Sequence, residues 1–206
     1  MAENTAQQPR ATATRANNRI GVVRDIAAEL FAEQGFHETT MRDIARRAGI
    51  LPGSIYYHFP SKENLLAAVY QEGVDRLLAR IDAADPGETA PPWTRLEAVM
   101  TAHVEAILDR SAYARVMIRV LPDAAPGAAA RLIEARDSYE TRIAEVIARL
   151  ALAPGIDRRL LRLFLLGAAN HVQVWRHEGG QTPAEIAVSL VRLLRDPARM
   201  HPGAPR

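Results

Sequence analysis

Residues 40–59 read TMRDIARRAGILPGSIYYHF, and this stretch decides the fold. Thr40 and Asp43 stand three apart, the spacing of a capping box at the start of a short helix over 40–48. Ile44 and Ala45 fall on one face of that helix, and Ala45 is small enough to let a second helix approach closely. Gly49 follows four residues later, where a tight turn favours positive φ. Pro52 then suits the first position of a second short helix that ends near Phe59. Ile50 and Ile55 supply apolar contacts from the turn and the second helix to the first. These are the requirements of a helix-turn-helix, with Pro52–His58 as the element that would enter a DNA major groove.

The polar residues around this core fit the same reading. Between positions 41 and 62 four cations (Arg42, Arg46, Arg47, Lys62) face one anion (Asp43), a local balance of +3. Tyr56, Tyr57 and His58 offer hydroxyl and imidazole groups on the short helix. Lys62 follows Ser61 at the next helix N-terminus, where backbone N–H groups and the dipole favour a phosphate. The competing reading makes the arginines a solvated face and the tyrosines plain core.

Working outward, Ile20, Val23, Ala27, Leu30 and Phe31 recur at helical spacing before a stop at Gly35. Upstream, residues 1–16 lack apolar periodicity and are expected to form a disordered arm carrying Arg10 and Arg15. Downstream, Pro60 breaks the chain and Ser61 caps a longer amphipathic helix, 62–84, through Leu66, Val69, Leu77 and Ile81. A Pro- and Gly-bearing linker covers 85–92. Further helices are expected at 93–110, 112–121, 126–151, 157–178 and 182–195. No segment alternates with period two, so the chain reads as all-α with about nine helices. The expected divisions are an arm (1–16), a three-helix helix-turn-helix domain (17–62), a connecting helix (63–84), a helical effector-binding and dimerisation domain (85–196) and a flexible tail (197–206). Six of the eleven aromatic residues crowd into positions 31–70, as a small domain needing bulky anchors requires.

Composition narrows the class further. The chain has 206 residues, no cysteine and a formal net charge of +2. Disulfide scaffolds, thiol nucleophiles and thiolate metal sites are excluded. No signal peptide or apolar run near the ~18 residues of a membrane span is apparent, which points to a cytoplasmic protein without a membrane partner. The sequence pI of about 9.3 reflects a single lysine among 26 cations rather than a large charge excess. Global charge therefore identifies no partner; its concentration in 41–62 does.

Residues 20–66, through LFAEQGFHETTMRDIARRAGI and GSIYYHFPSKENLL, resemble the N-terminal domain of the TetR/AcrR family of bacterial transcriptional regulators. The resemblance implies a homodimer that binds a palindromic operator in double-stranded DNA, with a C-terminal domain that holds a small effector. By position it places Thr40, Gly53, Ser54, Tyr56, Tyr57, His58 and Lys62 at the DNA, and Arg42 and Arg47 join them on charge and proximity. One departure stands out: Leu51 occupies a position where the family often has Ser or Thr, so it can neither cap the second helix nor donate to a phosphate.

In the C-terminal part, the segment 157–178 is apolar almost all round, which implies burial on two sides. With helix 182–195 it suits the two-fold four-helix interface of TetR-like proteins. Leu161, Leu165, Ala168, Val172, Ile186, Leu190 and Leu194 are the expected dimer contacts; an internal hairpin of a monomer is the alternative. Candidate effector-pocket residues are His103, Tyr113, Met117, Tyr139, Asn170, His171 and Trp175, polar or adaptable groups on apolar faces, each of which could equally be ordinary core. VWRHEGGQTPAEIA (174–187) resembles a TetR subgroup with members responsive to acyl-CoA thioesters, which implies an apolar or acyl-CoA-like effector. Arg110, Arg115 and Arg119 could then meet its phosphates. His171 and His177 are six apart, wrong for joint ligation, so no metal is expected. No cofactor is expected either, and the absence of phosphate loops and nucleophile elbows argues against an enzyme. A ligand-responsive repressor is the leading expectation. The alternatives are a constitutive DNA-binding protein and an enzyme on a helical scaffold.

Overall fold

The computed structural model describes residues 9–177 and 179–195, with side chains from Arg19 onward. Ten α-helices, one 3-10 turn and no strand occur among these residues: α1 (Pro9–Glu33), α2 (Met41–Ala48), α3 (Pro52–His58), α4 (Lys62–Ala84), α5 (Pro92–Leu108), α6 (Ala112–Arg119), the 3-10 turn Pro122–Ala124, α7 (Ala129–Ala148), α8 (Arg158–Asn170), α9 (Val172–Trp175) and α10 (Pro183–Arg195). The all-α architecture follows the sequence pattern.

Helix boundaries obey local chemistry. Thr40 and Asp43 form the complete capping box, and Gly49 closes α2 in the left-handed conformation at φ 65°. Ser61 Oγ accepts from the backbone N–H of Asn64 at 3.1 Å to start α4. Asp157 accepts from the N–H groups of Arg159 and Leu160 to start α8, and Thr182 forms a second capping box with Glu185 ahead of α10.

Two segments depart from expectation. The arm expected over 1–16 is helical from Pro9, because Pro9 fits a helix start and Ala11, Ala13 and Ala16 favour continuation; residues 1–8 lie outside the described residues. The helix expected over 157–178 is two helices. His171 sits at φ −98°, ψ 5°, outside α-helical geometry, and so divides α8 from the single turn of α9. The expected flexible tail, 197–206, lies outside the described residues.

A continuous apolar core runs from Val23 to Val191 through both parts of the molecule. In the head, Phe31, Ile44, Ala45 and Ile55 are fully buried against Leu65, Leu66 and Val69 of α4. α4 then carries the same core into the bundle, packing on α5, α6 and α7. Its far end is anchored electrostatically. Arg95 of α5 donates to both carboxylate oxygens of Asp85 at 2.7–2.9 Å, and Arg142 of α7 donates to the same carboxylate at 2.6 Å. These donors, Arg95 foremost, hold the Asp85 carboxyl well below its ordinary pKa.

Candidate nucleic-acid interface and effector cleft

α3 is short, yet its packing on α2 fixes it. Ile55 anchors it beneath, and its remaining residues face outward. Gly53, Ser54, Tyr56, Tyr57 and His58 are all exposed, with Tyr57 at 85% and Tyr56 at 49%. The Tyr57 and His58 rings meet edge to face at 4.9 Å. A tyrosine wholly in the core would not be placed this way, so the plain-core alternative fails for these two side chains. Arg42 is exposed and has no partner among the described residues, leaving its guanidinium available to an anion.

Three of the expected DNA residues have intramolecular duties as well. The Thr40 hydroxyl accepts from Asp43 N–H at 3.1 Å and donates to its carboxylate at 2.6 Å. This contact, with Arg46 on the other oxygen, holds the Asp43 carboxyl below its ordinary pKa. Arg47 donates to Glu29 and Glu33 of α1 at 3.1 Å each, tying α2 to α1 at the surface. Lys62 is the most heavily engaged of the three. Its ammonium donates to the carbonyls of Phe36, His37 and Thr39 at 2.7, 3.1 and 2.9 Å and lies 4.4 Å from the Phe36 ring centre. All three donors are used on the loop between α1 and α2, so Lys62 clasps that loop in this structure.

The candidate effector residues divide into three groups. His103, Tyr139 and Asn170 come together deep in the bundle. His103 Nε2 lies 2.8 Å from Asn170 Oδ1, and its ring centre is 5.9 Å from that of Tyr139. Burial pushes the His103 pKa down to about 4, against a smaller upward effect of Asn170, and raises Tyr139 to about 12. His103 Nδ1 is buried without a hydrogen-bond partner.

Tyr113 and Met117 line a separate, small cleft between α4, α5 and α6, with a cavity volume of about 100 Å³. Its apolar floor includes Gly73, Leu77, Ala106 and Ile107, and its rim carries Arg76 and Arg80. Tyr113 donates from its hydroxyl to Asp25 of α1 at 2.7 Å, while Arg76 lies 4.1 Å above its ring centre. Burial, followed by the Asp25 contact, raises the Tyr113 pKa. Arg119 donates to the Ala32 carbonyl of α1 at 3.0 Å, so α6 grips the head at two points. Gly73 has a packing reason: a Cβ there would fall 2.6 Å from Met117 Sδ. The third group, His171 and Trp175, is exposed on the outside of the bundle and belongs to neither cavity.

The residues expected at the dimer contact lie mostly inside their own chain. Leu161, Leu165, Val172 and Ile186 are buried within their own chain, and Ala168, Leu190 and Leu194 only partly exposed. The apolar side chains that do reach the surface are one residue out of register on α8. Leu160 is 63% and Phe164 56% exposed, with Leu163 beside them, Val174 and Trp175 on α9 and Leu193 on α10. Their i, i+3, i+4 spacing was present in the sequence. So were the cleft-lining Gly73, Arg76 and Arg80, but nothing local marked them.

A helix-turn-helix that presents aromatic and hydroxyl groups among cations, carried on a helical bundle with its own cleft, defines a helix-turn-helix regulatory protein. Residues 23–69 match the family model of bacterial regulatory proteins of the tetR family, and residues 89–197 match the tetracyclin repressor-like C-terminal domain. The second match alone spans more than half the chain; the protein belongs to the TetR family. It is similar to the HTH-type transcriptional repressor KstR2 of Mycobacterium tuberculosis, 46% identical over 92 residues, which cover 44% of this chain and 45% of that one. The chain thus matches under half the length of this curated relative. A crystal structure of a tetR-family bacterial regulatory protein from Rhodococcus RHA1 is 32% identical over 86% of this chain and 95% of that one, with a TM-score of 0.69. The transcriptional regulator FadR from Bacillus subtilis, solved in complex with stearoyl-CoA, shares the fold at 23% identity and a TM-score of 0.73, over 84% of this chain and 96% of that one. Among the described residues, no helix is long and apolar enough to cross a membrane.

Proposed function

We propose that this protein is a cytoplasmic, homodimeric transcriptional repressor that binds a palindromic operator and releases it when a small apolar or acyl-CoA-like effector enters the bundle. The single observation that carries the DNA reading is the outward array on α3, where Tyr56, Tyr57 and His58 stand exposed above a buried Ile55. Gly53 and Ser54 add little bulk, so the helix can approach base edges closely, while Arg42 supplies phosphate attraction. One such head reads one half-site. A two-fold pair spaced about 34–36 Å apart would read both faces of an operator.

The dimer is proposed through the exposed Leu160, Leu163, Phe164, Val174, Trp175 and Leu193. Large apolar side chains exposed on α8 and on its neighbours α9 and α10 are costly to leave in water. The effector is proposed to occupy the cleft at Gly73, Leu77, Tyr113 and Met117 and to reach toward His103, one turn of α5 from Ala106 and Ile107. The complex of FadR with stearoyl-CoA supports an acyl-CoA-like class, and the arginines Arg76 and Arg80 at the rim suit an anionic end. This replaces Arg119, whose guanidinium holds Ala32. Displacing Tyr113 would break its bond to Asp25 and so loosen one of the two polar grips of α6 on α1. A coupling of ~1–3 kcal/mol between effector and operator is sufficient for control.

The test is fluorescence anisotropy with duplex DNA from upstream of the protein's own gene. Tyr57→Ala is expected to weaken binding at least tenfold with the helical circular-dichroism signal unchanged. Unaltered affinity in that variant would overturn the assigned DNA face. For the effector, Gly73→Ala is expected to shift Met117 into the cleft and blunt release by a fatty acyl-CoA. Full release in that variant would remove the cleft from the effector path.

A further inference from the structure

Leu51 is 78% exposed, more than any other large aliphatic side chain among the described residues. It is the N-cap residue of α3 and makes no capping hydrogen bond. The backbone nevertheless holds it firmly: its carbonyl accepts from Ser54 N–H at 2.9 Å, and Pro52 follows it in the first helical position. Its side chain therefore projects from a fixed point at the leading end of the α3 surface. Leu51, Ser54, Val22 and Arg19 line one shallow hollow, and Val22 is itself half exposed. Arg19 lines the same hollow, so this apolar point lies beside a cation. An exposed leucine beside a cation is poorly suited to an apolar protein partner. It is well suited to the one apolar group that projects into the major groove of DNA, the 5-methyl of thymine.

We infer that Leu51 is a specificity-determining residue that reads a thymine methyl at the edge of the half-site. The inference rests on the DNA-binding reading above. Chemically, a hydroxyl at this position would accept or donate at a phosphate and carry no base information, whereas an isobutyl group gains only where an apolar partner is present. Gly53 and Ser54 are too small to shield that contact from the groove. Removing one methyl from an apolar contact changes binding by about fourfold, so the effect is measurable and confined to one base pair in each half-site.

The experiment begins with selection of sequences from a randomised duplex pool by the full-length protein. Each thymine of the selected site is then replaced singly by deoxyuridine, which deletes the methyl and leaves pairing intact. In the wild type, one thymine per half-site is expected to lose about fourfold in affinity on replacement. Leu51→Ser is expected to bind the thymine and deoxyuridine duplexes equally, and Leu51→Met to restore the difference. Because Leu51 is exposed, both variants are expected to fold, as checked by their melting curves. If every deoxyuridine duplex binds within twofold of its parent, or if Leu51→Ser keeps the difference, the assignment of Leu51 is overturned while DNA binding stands. If no sequence is enriched at all, the DNA-binding reading falls first and this inference falls with it.

Discussion

Two surfaces of the molecule expose large side chains, and they differ in what surrounds them. On the head, Tyr56, Tyr57 and Leu51 are exposed together with the small polar Ser54, and Arg42 is exposed on the preceding helix α2. On the bundle, Leu160, Leu163 and Phe164 follow helical spacing along one side of α8, and Val174, Trp175 and Leu193 are exposed on its neighbours α9 and α10. Exposed hydrophobicity alone would rate the two alike. The first array offers donors and positive charge to a hydrated polyanion, and the second offers a surface that gains only by excluding water. The difference teaches that the polar frame around an apolar group, more than the group, indicates its partner.

The sharpest way to break this comparison is to charge the bundle face. Phe164→Asp is expected to raise the dissociation constant of the proposed dimer at least a hundredfold by sedimentation velocity, since it would bury an unpaired carboxylate. An unchanged oligomeric state would strip the face of its proposed role. A smaller but still large effect is expected where charge is internal. Asp85→Ala leaves Arg95 buried without its carboxylate and is expected to destabilise the fold by about 3 kcal/mol in urea unfolding. No loss of stability would mean that water replaces the carboxylate.

Comparable in scale is the pH response of His103. Its pKa falls from 6.5 to about 4 on folding, so the unfolded chain binds the proton more readily. Stability from neutral His103 is therefore complete above pH 6.5 and declines as the pH drops toward 4, by roughly 3 kcal/mol. His103→Gln is expected to flatten the unfolding free energy across that window; an unchanged slope would show that other groups set it. Next is Lys62. If it is the clasp that its three carbonyls indicate, Lys62→Met costs about 1–2 kcal/mol of stability and leaves the salt dependence of operator binding unaltered. A salt slope reduced by about one would restore it to the DNA face. Smallest is Leu51→Ser, which gains a capping hydroxyl and is expected to stabilise the head by about 0.5–1 kcal/mol.

The two surfaces also differed in how far the sequence could reveal them. The head is built from devices local in the chain: the Thr40–Asp43 box, Gly49 at positive φ, Pro52 at a helix start and Ile55 between polar neighbours. Each leaves its mark within four residues. On α8, by contrast, Leu160, Leu161, Phe164 and Leu165 form two adjacent apolar rows, so the pattern does not say which row faces inward. Only the packing of α5, α7 and α10 decides that Leu161 and Leu165 point inward. Long-range polar contacts were equally hidden. Tyr113 finds Asp25 across 88 positions and Lys62 reaches carbonyls 23 to 26 positions away. The cluster His103–Tyr139–Asn170 was anticipated as residues but not as a group, since its members come from three helices.

The ion cluster at Asp85 has a mechanical consequence. By holding the C-terminal end of α4 to α5 and α7, it makes that end a fulcrum. α4 rises about 1.5 Å per residue, so Gly73 stands about 18 Å from the fulcrum and Lys62 about 35 Å. A rigid tilt of α4 about that end would move Lys62, and the loop ahead of α2 that it clasps, about twice as far as Gly73. The cleft lies near the middle of a lever whose long end carries the head.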